Sequence, residues 1–180
     1  MNSRKIHGYS RRLSRPLALL ASLVACAPVA AQDTDPVYTM TVIVDAAHGG
    51  KIVAGKYQRA IEKISGGKRA GDAYARQTNL CVAYTKTGDL DKATAACEAA
   101  LALVLDSKHP RRSYPGSART EDNDRFYLAL ALSNLGVLQA AKGSPDIARR
   151  TFEEALELDT GLSAPKVNLA RVAGSEMPSA

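Results

Sequence analysis

An all-α fold of stacked helical hairpins is what this sequence predicts, and three observations carry it. Asn134 to Asp159, NLGVLQAAKGSPDIARRTFEEALELD, reads as two amphipathic helices turned at Gly143, the second with Ala148, Phe152, Ala155 and Leu156 along one stripe. Ala73 to Leu105 repeats the arrangement: Asn79-Leu80-Cys81 stands where Asn134-Leu135-Gly136 stands, and Ala93, Cys97, Ala100 and Leu101 match the stripe. Finally, Asn168-Leu169-Ala170 lies 34 residues beyond Asn134-Leu135-Gly136, and a fixed period of that size is the mark of a chain assembled from repeated units.

At the N-terminus, Arg4, Lys5, Arg11, Arg12 and Arg15 precede the apolar run Leu17 to Ala25, and Val29, Ala30 and Ala31 come just before Gln32. A basic start, a short apolar stretch and a small-residue end are the parts of a secretory signal peptide, and the apolar run is well short of the roughly 20 residues of a membrane span. Residues 1–31 are therefore expected to be removed on export, leaving the protein periplasmic or secreted. Leu23-Val24-Ala25-Cys26 also fits a bacterial lipobox, whose acylated cysteine would become the mature N-terminus of an outer-membrane lipoprotein. Pro28 ahead of Val29-Ala30-Ala31 favours ordinary cleavage. Ser10-Arg11-Arg12 hints at twin-arginine export, but Ser14 stands where that motif prefers Phe.

Removing this segment changes the charge. Of 24 Lys and Arg, five lie in residues 1–31 together with none of the 18 Asp and Glu, so the remainder carries 19 cations against 18 anions. A nucleic-acid partner needs a retained basic face, and the near-neutral remainder argues against one. A membrane partner is expected only if Cys26 is acylated.

Residues 32–49 form a linker and an extended segment. Gln32 to Pro36 is polar, and Val37 to Asp45, VYTMTVIVD, is β-branched and partly alternating, which suits either a short strand or an extended stretch packed on the first hairpin. Gly50 to Lys56 then matches the G-x-x-x-x-G-K part of a phosphate-binding loop, but Tyr57 occupies the position of the Ser or Thr that would hold Mg²⁺. Gly55 to Ile64 is better read as the turn and second helix of another hairpin. Ala60 and Ile64 match Ala148 and Phe152, and Gly55 stands five residues before Ala60 as Gly143 does before Ala148. After Gly66-Gly67 and Gly71, Asp72 is a candidate N-cap for the helix from Ala73.

The spacing from Asn79 to Asn134 exceeds the period and marks an insert at residues 108–128. Pro110, Pro115 and Gly116 make its first part a loop, while Glu121, Asp122 and Asp124 suit the start of a longer helix at about Asp122. It is either a solvated loop or a partner-contacting one. Ser163 to Ala173, with Pro165 in its first turn, reads as a terminal helix covering the last hairpin, and residues 174–180 as a flexible tail.

The Leu135-Gly136, Ala148-x3-Phe152 and Ala155 spacing resembles the tetratricopeptide repeat (TPR), a helix-turn-helix unit of about 34 residues. The resemblance covers residues 50–173. It implies a TPR-like helical-hairpin solenoid of about 2.5 to 3 repeats and a scaffold that binds a protein or peptide partner in the cell envelope. In the alternative, the chain is a structural subunit or assembly factor of an envelope complex. In such scaffolds the first helix of each hairpin lines the binding face, which selects Asn79, Lys86, Ser133, Asn134, Asn168 and Arg171. Each asparagine precedes the core-facing Leu of its unit, so all turn to a common side. They are either exposed ligand contacts, whose replacement leaves stability nearly unchanged, or braces between repeats.

Chemistry beyond binding is thin. Neither His48 nor His109 has a Cys, His or carboxylate three or four residues after it, no G-x-S-x-G is present, and Glu153, Glu154 and Glu157 read as a solvated face. Neither an enzyme, a cofactor nor a metal is expected. Cys81 and Cys97 are an even pair in an oxidising compartment, and they sit symmetrically about Asp89 in the turn, as facing residues of a hairpin do. They are expected to form a disulfide. Gly136 and Phe152 occupy the same facing places in the later hairpin, so packing alone is the other account of the pair.

Protein recovered from its native host should begin at Gln32. Mass spectrometry of the intact N-terminus checks this, and a diacylglyceryl mass on a chain starting at Cys26 gives the opposite answer.

Overall fold

The computed structural model describes residues 38–67, 72–106 and 121–175. The expected signal peptide with Cys26, most of the loop part of the 108–128 insert and the 176–180 end of the tail lie outside the described residues. Within them the secondary structure is helical throughout: α1 (Gly49–Val53), α2 (Tyr57–Gly66), α3 (Ala73–Thr87), α4 (Leu90–Leu105), α5 (Glu121–Ala141), α6 (Pro145–Leu158) and α7 (Ser163–Ser175). Residues 39–43, for which a strand was one expectation, are extended but form no sheet.

Local chemistry sets the helix ends. Asp72 caps α3 as its sequence position suggests, its carboxylate accepting the Tyr74 and Ala75 N–H groups at 2.9 and 3.2 Å. The turns after α1, α3 and α5 use one device. Gly55, Gly88 and Gly143 have φ of 70°, 77° and 75°, the left-handed region in which a side chain would be strained. The N–H of the next residue then reaches back to close each helix: Lys56 to the Lys51 carbonyl, Asp89 to Tyr84 and Ser144 to Gln139. Pro145 in the first turn of α6 gives up an N–H that the helix would leave unused.

Each helix packs on its sequence neighbours, the odd-numbered helices α1, α3, α5 and α7 also pack on one another in succession, and among the described residues no other pair of helices is in contact. The core is accordingly a file of small clusters. Ile52, Ala60, Ile61, Ile64 and Val82 fill the first, and Cys81, Ala93, Cys97 and Leu138 the next. Tyr74, Ala100, Val104 and Ala131 form a third, and Val137, Ala148, Phe152 and Val172 a fourth. Ala60, Ala93 and Ala148, each five residues after its turn glycine, are completely buried.

The facing pairs differ between hairpins as their sequences suggest. A side chain at Gly136 would place its Cβ 2.5 Å from Cε1 of Phe152, whose ring is fully buried and has nowhere to go. In the earlier hairpin the Cα atoms of Cys81 and Cys97 approach to 4.8 Å and the sulfurs to 2.07 Å, a disulfide joining α3 to α4. Unfolded but unreduced protein should therefore show no titratable thiol from this pair, and reduction should cost about 3 kcal/mol of stability, the chain-entropy value for a loop of this size. Thiol titration and denaturant melts with and without reductant measure both.

Candidate functional site

The asparagines that recur along the sequence converge on one object, the chain's own extended segment. Asn168 on α7, Asn134 on α5 and Asn79 on α3 each hold one of its residues by both main-chain groups. Thr39 N–H donates to Asn168 Oδ1 at 2.8 Å, and Asn168 Nδ2 donates to the Thr39 carbonyl at 2.8 Å. Thr41 exchanges the same pair of bonds with Asn134 at 2.7 and 2.8 Å, and Ile43 with Asn79 at 2.9 and 2.9 Å. The reason for the alternation is geometric. In an extended chain, the N–H and C=O of one residue point to the same edge, and residues two apart repeat that edge. Successive odd-numbered helices therefore meet residues 39, 41 and 43, and the segment runs opposite to the helix order.

A carboxamide carries one acceptor and one donor in the relative positions of a neighbouring strand's C=O and N–H. The asparagines thus replace the missing sheet partner, and the side chains of the segment take no part in these bonds. All three are buried, at 0, 1 and 0% exposure for Asn79, Asn134 and Asn168. That corrects the expectation of exposed asparagines whose loss leaves stability unchanged: with the segment in place they are interior polar groups whose bonding capacity is engaged.

Packing supplements the ladder. Half-buried Met40 touches three of the four core clusters, Val42 the first and Ile43 the third. At the end where the segment enters, Lys86 Nζ donates to the Tyr38 carbonyl at 3.3 Å and Arg171 Nη1 to Thr39 Oγ1 at 3.2 Å. Burial pushes the Lys86 ammonium below its ordinary range, and the positive charge of Arg171 pushes it the same way. Ser133 stands apart from these residues. It is fully buried with its hydroxyl unpartnered, as is Thr78 one position before Asn79, because one residue along a helix turns a side chain about 100° away from its neighbour.

The other end of the segment is built closely. Asn79 Nδ2 also donates to the carbonyls of Ala46 and Ala47, at 2.9 and 3.3 Å. Ala47 and His48 have φ of 45° and 59°, left-handed conformations that cost residues other than glycine about 1–2 kcal/mol each. Gly49 lets α1 start directly beneath Ile43, since any Cβ there would collide with the Ile43 carbonyl oxygen and come within 2.8 Å of the Val44 Cα. Among the described residues no cluster of His, Cys, Asp and Glu could hold a metal ion, and no helix is long and apolar enough to cross a membrane.

Sequence reasoning named Asn79, Asn134, Asn168, Lys86 and Arg171 but not what they hold. The available signal was the alternation of residues 39, 41 and 43 beside three periodic asparagines. Against known proteins, the chain matches no family model, no curated protein and no solved structure.

Asn134→Ala should destabilise the protein by about 1–3 kcal/mol, the cost of leaving the Thr41 N–H and carbonyl without their partner. A denaturant melt gives the loss, and faster hydrogen exchange at the Thr41 amide locates it.

Proposed function

We propose that this chain is an exported TPR-type scaffold of the bacterial cell envelope that binds a protein or peptide partner along the face carrying Asn79, Asn134 and Asn168. The observation that carries the reading is the ladder, in which three side chains from successive first helices satisfy both main-chain groups of alternate residues in an extended polypeptide. That is the chemistry of peptide binding, already performed on a peptide that belongs to the same chain. Support for the repeat architecture comes from the turn glycines Gly55, Gly88 and Gly143, from the buried alanines five residues later, and from helices that pack only near their sequence neighbours. On this reading α3–α4 and α5–α6 are full repeats, α1–α2 is a shortened one, and α7 covers the end.

The occupied face favours a second reading, a structural subunit or assembly factor of an envelope complex in which the ladder is a permanent brace and partners contact other surfaces. The neutral balance of residues 32–180 fits either and offers nothing to nucleic acid. Neither reading invokes catalysis or a cofactor.

Recovery of the native protein from envelope extract separates them. A peptide-binding scaffold should surrender its bound partner to an excess of added purified protein, and Asn134→Ala should weaken capture beyond the loss of folded protein. A partner that stays at fixed stoichiometry and is indifferent to Asn134 favours the structural subunit.

A further inference from the structure

We infer that residues 38–43 are a tethered competitor for their own groove, and that the groove's ligand in trans is an extended, uncharged segment of another polypeptide, seated in the same direction. This deepens the peptide-binding reading and rests on it. The ladder's bonds go to main-chain atoms, so the site is open to any extended chain that can present alternate residues to Asn168, Asn134 and Asn79. Packing narrows the choice. The resident side chains Tyr38, Met40, Val42 and Ile43 lie against apolar clusters, and a charge in place of Met40 or Val42 would be half-buried among apolar side chains. β-branched residues suit the extended backbone that the ladder demands.

The strained connection to α1 is what makes exchange feasible. The resident segment has the advantage of local concentration, which for a short connection is on the order of millimolar. Against that, its connection to α1 requires left-handed Ala47 and His48 and the tight passage at Gly49. A free peptide makes the ladder bonds without either. Thr39, Val44 and Asp45 are exposed, so residues at both ends of the seated stretch already face solvent.

Two changes in the full mature chain should each release the segment while sparing the three asparagines. Thr41→Pro removes the N–H that Asn134 accepts, and Gly49→Ala drives a methyl group into the Ile43 carbonyl from outside the groove. A fluorescent peptide of residues 38–45 should bind both variants at least about tenfold more tightly than the wild type, whose open form is a minor state. Adding Asn134→Ala to Gly49→Ala should remove the gain. Equal binding to wild type and variants, or binding to none of them, overturns the inference. Should circular dichroism show both variants unfolded, the wild type carries the test: excess peptide must speed hydrogen exchange at the Thr41 and Ile43 main chain or expose residues 38–45 to protease, and no change overturns the inference. Partner exchange from envelope extract alongside a negative peptide result would remove the tethered competitor alone and leave the scaffold standing.

Discussion

An extended main chain laid against helices has no strand beside it to accept its N–H groups or donate to its carbonyls, and left unpaired those groups make burial costly. Here three asparagine carboxamides stand in for the missing strand, one from each of α7, α5 and α3. The remaining architecture can be read as what is needed to hold those carboxamides in line. Their helices must be stacked at a regular interval, with a common rotation, and must present the same face. The Leu after each asparagine, expected to face the core, is only half-buried and packs against the clusters beside the ladder, while the asparagine itself is the interior residue. The glycine turns and the buried alanines behind them set the interval.

A file of helices that touch only near neighbours has no single large core, and here the apolar interior of the described residues is divided into four clusters. The segment at residues 38–43 crosses this division, as α3 and α5 also do, since it bonds to α3, α5 and α7 at once and lays Met40 against three clusters. Seating of this segment and stability are therefore coupled in this protein. The segment ties successive hairpins together, and its release would take those ties with it. The disulfide between Cys81 and Cys97 acts differently, locking one hairpin internally through α3 and α4. Its counterpart, the Gly136–Phe152 pair, achieves a close approach by complementary volumes instead of a covalent bond.

Strain lies where the segment joins the helices. Left-handed Ala47 and His48 are held by the carbonyl bonds to Asn79 and by the contact of Gly49 with Ile43. Backbone strain of this kind persists only while surrounding contacts over-determine it. The same asparagine that grips Ile43 thus also maintains the turn that returns the chain to α1, so release at one is felt at the other.

The sequence by itself determined the helical class, the hairpin turns at Gly88 and Gly143, the cap at Asp72, the facing of Cys81 and Cys97, and the alignment of Asn79, Asn134 and Asn168. These follow from interactions a few residues apart or from a period that survives in the residue pattern. Only the tertiary structure decided what those asparagines hold, because Thr39 is 129 residues from Asn168 and Thr41 is 93 from Asn134, and a main-chain hydrogen bond leaves no mark on the sequence of the residue that makes it. For the same reason nothing in the sequence of the 32–49 segment marks Gly49 as the residue packed against the Ile43 carbonyl. Whether residues 38–43 would pair as a strand or lie extended on helices was open to local propensity, since β-branched residues favour an extended backbone in either setting, and only the position of the three carboxamides resolved it.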